Sequence, residues 1–245
     1  MVEQLADLWT RVTAPSPALE ALPLWLALAV AALAVLPPVW RHSRHAVTIV
    51  HEAGHGFAAT VTGRRLSGIR LHSDTSGVTV SVGRPRGPGM ALTLLAGYPA
   101  PAIVGLGTAW LTGVGHAAAA LWALLLLVVL VLVQIRNWFG LWSVLVAGAA
   151  VFAVTWWAPA EWHGFAATAV SAFLLLGGVR TVGELQSARR REGRGRRGTT
   201  DADQLSRVAG LPGIAWVGLF LLLALACAVA GAALLLRLPL AWPAA

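Results

Sequence analysis

Apolar runs close to twenty residues long recur along this chain, near 22–40, 46–63, 89–111, 117–135, 138–158, 163–179 and 212–236. A helix needs about 20 mostly apolar residues to cross about 30 Å of hydrocarbon, and lipid tolerates only segments whose backbone groups bond internally. Only 11% of the 245 residues are charged, too few to coat a water-soluble globule, where the share is about 25%. The expected fold is an all-α polytopic membrane protein with about seven transmembrane helices. The run at 46–63 is the least apolar, because it holds His51, Glu52 and His55.

Arginine placement orients these runs. The formal charge is +8, and all 18 basic residues are arginine. With seven spans, Arg11, the 64–86 loop, Arg136 and the stretch from Arg180 to Arg207 share one side, leaving Arg41, Arg44 and Arg237 opposite. The positive-inside rule makes the rich side cytoplasmic, with the N-terminus inside and the C-terminus outside a plasma membrane. This accounts for the basic charge without a nucleic-acid partner; the expected partners are the lipid bilayer and proteins within it. The single Cys227 excludes an intrachain disulfide.

Between the runs the chain divides further. Residues 1–21 carry Glu3, Asp7 and Glu20 against one arginine, unlike a cleavable signal, and Leu5, Leu8, Trp9 and Val12 form one face of an interfacial helix. A membrane domain occupies 22–185. In 66–83, Ile69–His72 and Val78–Val82 alternate apolar with polar around Ser73-Asp74-Thr75-Ser76-Gly77, a small cytoplasmic-side β-hairpin. Its strand edge could hold an extended peptide, or the hairpin could simply cap the cytoplasmic mouth. Residues 186–200 read as a basic linker, and 201–245 as an amphipathic segment with the last span.

The chemistry lies in His51-Glu52-Ala53-Gly54-His55, an H-E-x-x-H pattern. On a helix the two imidazoles stand one turn apart on one face, within reach of one metal ion, Zn²⁺ for this ligand set. Glu52 is rotated about 100° from His51, so its carboxylate can take a proton from water and pass it to a leaving amine. Three ionisable groups in an apolar span are costly without partners, which favours a functional site. Nine residues separate His55 from Arg64, about 13 Å along a helix, setting the site nearer the cytoplasm.

The motif, its continuation to Gly63-Arg64-Arg65, the hairpin, and Ala96-Gly97-Tyr98-Pro99-Ala100-Pro101 resemble the site-2 proteases, intramembrane zinc metallopeptidases, in their small bacterial branch without appended soluble domains. The similar core spans 46–140. The resemblance implies zinc, an endopeptidase acting on membrane-spanning protein, and often a role in regulated signalling. It also implies a third ligand, usually the Asp of a Leu-Asp-Gly motif shortly after an Asn.

Here Asn137 is present, but no Asp follows before Asp201. Asp201 is the favoured third ligand, in a stretch that resembles a Ser-Asp-Ala segment of close relatives. Asp201 with Gln204 could equally be a helix capping box, and Glu184 and Asn137 stay open as ligands. An inactive relative that binds membrane partners without cutting is the alternative reading.

Overall fold

The computed structural model describes residues 2–191 and 200–238. The chain runs through α1 (Val2–Thr13), α2 (Ala21–Ala34), α3 (Pro37–Val61), β1 (Arg65–Leu71), β2 (Gly77–Val82), α4 (Pro88–Ala96), α5 (Ala100–Gly113), α6 (Ala117–Gln134), α7 (Trp138–Trp157), α8 (Ala160–Arg191), α9 (Asp201–Ala209) and α10 (Gly213–Leu235). It is a helical bundle with one two-stranded antiparallel sheet.

Among the described residues four helices, α6, α7, α8 and α10, are long and apolar enough to cross a membrane, and the number reaches six if each of the bent pairs α2–α3 and α4–α5 is one span. The difference from the expected seven arises at 22–63. Hydropathy divides that region at Arg41–His45, but those residues are helical in α3. The chain instead breaks at Val35–Leu36, because Pro37 and Pro38 hold Leu36 extended (ψ 149°), and α3 leaves α2 at 94°. The carbonyls freed at the bend find donors: the Ser43 hydroxyl donates to Ala34 O at 2.6 Å, and the Arg180 guanidinium donates to Val35 O. Arg41 and Arg44 thus lie in no interspan loop.

The ends of the bundle are also distributed differently from expectation. Ser16 N donates to Gly115 O at 2.7 Å, Arg11 stacks over Trp156 at 5.0 Å, and Leu19 packs on Gly164. The last turn of α10 meets α5 at Gly113. The segment after α1 and the last turn of α10 therefore share the end of the bundle that bears the α5–α6 and α7–α8 connections. Arg11 packs on Trp156, which touches Trp122 in the first turns of α6, whereas Arg136 follows the last residue of that helix.

Small residues let the central helices close up. Gly105 of α5 and Gly231 of α10 both lie against Leu175 of α8, and Gly178 meets Ala102. Ser171 donates to Thr108 at 2.8 Å in this fully buried seam. Apolar helices gain little from burial within lipid, so close packing and interhelical hydrogen bonds hold them. The final turns of α8 run through Arg191, so the first part of the expected 186–200 linker is helical; residues 192–199 lie outside the described residues.

The hairpin forms as expected, with Leu71 opposite Gly77 and a bulge between Leu66 and Gly68. Asp74 accepts from the amide and hydroxyl of Ser76 in the turn. Ile69 and Leu71 are buried with Ile49, Val131 and Val144. Ile69 O accepts from Arg136 N at 2.9 Å, and Asn137 clasps Leu71 through both of its backbone groups. One edge of the sheet is thereby occupied.

This topology predicts that reporters fused before α2 and after Leu238 indicate the same side of the membrane, and a reporter after Arg136 the other. Opposite sides for the two ends would refute the bent-pair arrangement.

Candidate metal centre

The buried face of α3 carries Val47, Val50, Glu52, His55 and Ala59. A helix bearing three ionisable groups must bring them partners, and α4, α9 and the hairpin do so. Gly54 allows the approach: a Cβ there would sit 2.5 Å from Ala100 Cβ and 2.6 Å from Ala96 O. The α4–α5 break at Gly97-Tyr98-Pro99 comes directly against the histidines. A Cβ on Gly97 would collide with His55 Nε2 and lie 2.8 Å from His51 Cε1.

Three potential ligand atoms converge. His51 Nε2 and His55 Nε2 are 3.1 Å apart, and Asp201 Oδ2 lies 3.4 Å from the first and 3.2 Å from the second. A tetrahedral ion with bonds of about 2.0–2.1 Å spaces its ligand atoms about 3.3 Å apart. The donor chemistry agrees. His55 Nδ1 lies 2.6 Å from Thr93 O, an acceptor only, so Nδ1 carries a proton and donates it. The other ring nitrogen, Nε2, faces the carboxylate oxygen of Asp201. A cation among these acceptors satisfies all three, and a backbone carbonyl orienting a ligating imidazole is the usual supporting contact. His51 is steadied otherwise, edge to face with Tyr98 at 4.7 Å, and Tyr98 stacks on Phe220 at 5.1 Å.

Asp201 reaches the histidines because α9 is firmly begun. Thr200 is its N-cap: the hydroxyl accepts from Asp203 N and donates to Asp203 Oδ2 at 2.7 Å. Arg189 of α8 grips Asp203 Oδ1 at 2.7 and 3.1 Å. The expected alternative, Asp201 capping with Gln204, is corrected: the cap is Thr200 with Asp203, and Asp201 occupies the first helical position facing the site. The other two candidate ligands are engaged elsewhere. Glu184 accepts from Trp40 Nε1 at 2.6 Å and pairs with Arg44 and Arg180, and Asn137 holds β1.

Glu52 is 3% exposed and stands beside the histidines. Thr79 of β2 donates to its carboxylate at 2.6 Å and approaches its carbonyl at 3.1 Å. Gly77 gives the carboxylate room, since a Cβ there would meet Glu52 Oε1 at 2.5 Å. A cavity of about 570 Å³ opens onto His51, Glu52, His55 and Asp201, bounded by β2 on one side. The arrangement offers three ligands, one adjacent carboxylate and space for an extended chain.

Sequence reasoning gave no role at the site to Thr93, Thr79 or the three glycines Gly54, Gly77 and Gly97. Thr93 acts through a carbonyl that every residue possesses, so no sequence signal marks it. The glycines matter only because of what faces them across the site.

Gly97→Ala should disorder the histidine pair and destabilise the protein by about 1–3 kcal/mol through overpacking. Thermal melting in detergent would read this against Gly107→Ala, where an added Cβ meets nothing within 4 Å. Equal melting temperatures would show that the site relaxes freely.

No curated protein and no solved structure matches the chain. A family model described as Peptidase M50B-like matches residues 24–231, a stretch that includes every residue of this centre. The chain belongs to the site-2 protease family of membrane metallopeptidases.

Proposed function

We propose that this protein is a zinc-dependent intramembrane endopeptidase that cuts membrane-spanning protein segments. The observation that carries the reading is the convergence of His51 Nε2, His55 Nε2 and Asp201 Oδ2 within 3.4 Å, with buried Glu52 alongside. His51, His55 and Asp201 would hold the ion. When bound, zinc supplies Lewis acidity that polarises a carbonyl and brings the pKa of a water to about 7.

Glu52 accepts the proton of the attacking water and delivers it to the amide nitrogen as the carbon–nitrogen bond breaks. Thr79 fixes the carboxylate rotamer through Oε2, leaving Oε1 for the proton. Thr93 holds the His55 ring by Nδ1. The outer edge of β2 supports a substrate role for the hairpin, because a protease binds its target as an extended strand. Among the described residues no backbone group pairs with that edge.

In our reading the hairpin end is cytoplasmic. Arg64, Arg65, Arg70, Arg136 and Arg189–Arg191 cluster there, against Arg11 and Arg237 at the other end. Six crossings then put both chain ends outside, in place of the cytoplasmic N-terminus that seven spans required. The site remains on the cytoplasmic half, although 13 Å along the tilted α3 is an upper bound on its depth.

Two substitutions test the reading. Glu52→Gln keeps size and hydrogen bonding but cannot accept the proton, so purified protein should hold stoichiometric zinc and cleave no transmembrane substrate that the wild type cuts. Wild-type cleavage by Glu52→Gln would exclude this base. Asp201→Ala should lose zinc, measured by elemental analysis, while its melting temperature without metal stays close to wild type. Full zinc occupancy in Asp201→Ala would remove it from the ligand set.

A further inference from the structure

Two guanidinium groups line the cavity, and they differ in a way that bears on substrate choice. Arg44 is matched by Glu184, with Nε and Oε2 3.2 Å apart, and it donates to Thr75 Oγ1. Arg64 is half-buried at the opposite end of β2. Its Nε donates to Ser81 Oγ at 3.1 Å and its Nη1 to Arg84 O at 2.6 Å. Among the described residues it has no carboxylate partner. A guanidinium has five N–H donors, and two of those of Arg64 are engaged, which leaves three on a side chain that is pinned in place and lines the cavity. Little rotamer entropy remains to be lost when a carboxylate docks there.

Strand β2 supplies the ruler. Thr79 marks the level of Glu52, and Ser81 marks the level of Arg64. The two are about 6.6 Å apart at 3.3 Å per residue. A chain paired with the free edge of β2 thus brings a side chain about two residues from the bond being cut to Arg64.

We propose that Arg64 selects extended segments bearing an Asp or Glu about two residues to its side of the cleaved bond. This rests on the protease reading and specifies the substrate chemistry of that same site. The carboxylate completes the unmatched guanidinium in a half-buried setting, where such pairs discriminate against neutral and basic residues.

The test uses a transmembrane peptide in detergent micelles that the wild type cleaves, with Asp, Asn or Lys placed in turn at each position within three residues of the mapped bond. Expected is one position, about two residues away, where Asp exceeds Asn by about tenfold in kcat/KM, the size of one charge-assisted contact. Arg64→Glu should reverse the preference toward Lys at that position, and Arg64→Lys should keep a weaker preference for Asp. Binding of the same peptides to Glu52→Gln protein should follow the same order. Charge-independent cleavage and binding, or a preference unchanged in Arg64→Glu, overturns the proposal. If a panel of transmembrane peptides yields none that the wild type cleaves, while their binding to Glu52→Gln protein still follows Asp over Asn over Lys and reverses in Arg64→Glu, the protease reading is overturned and Arg64 stands as the selector.

Discussion

Polar and ionisable groups inside an apolar bundle must find partners there, because neither lipid nor neighbouring Leu and Ala side chains can replace water. His51, Glu52 and His55 impose that demand on one helix, and the surrounding fold answers it from four directions. Thr93 O takes the His55 Nδ1 proton, Thr79 donates to Glu52, Tyr98 covers the His51 ring, and Asp201 faces both Nε2 atoms. The last contact brings two imidazole nitrogens and a carboxylate oxygen within 3.4 Å of one another, a donor set suited to hold one cation.

Bringing those partners close requires missing side chains. Gly54 and Gly97 let the α4–α5 break press onto α3, and Gly77 lets the hairpin reach Glu52. Both proline-marked breaks serve the same end. The bend before Pro37 swings α3 across the bundle, and the Gly97-Tyr98-Pro99 break presents backbone without a Cβ to the histidines. Segments that hydropathy treats as ordinary spans are interrupted where irregular backbone lies buried against protein, the circumstance in which membranes tolerate it.

The hairpin and α9 are non-spanning elements, and both meet at the cavity. Asn137 and Arg136 pin β1 to the α6–α7 corner, so β2 is left with a free edge alongside Glu52. Across from it, Arg189 and Thr200 hold α9 through Asp203. Asp203 therefore anchors the helix, while its neighbour two positions earlier faces the histidines. This division of labour explains why two aspartates stand so close in a chain with only ten acidic residues.

Local chemistry made much of this legible from the chain itself. Long apolar runs exclude a soluble globule, alternation at 69–82 gives a hairpin, and H-E-x-x-H on a helix puts two imidazoles on one face, because each depends on residues within a turn or a pairing register. The bend at Leu36 was not legible, since hydropathy averages over a window and the break depends on two prolines beside a charged stretch that stays helical. The third ligand could be narrowed to Asp201, Glu184 or Asn137, with Asp201 favoured. Asp201 lies 146 residues beyond His55, and its approach rests on an ion pair between α8 and α9, a cap at Thr200 and the packing of α9 against α4. Contacts between distant segments carry no local periodicity, so only the tertiary structure shows Asp201 beside the two histidines and Glu52 beneath Thr79.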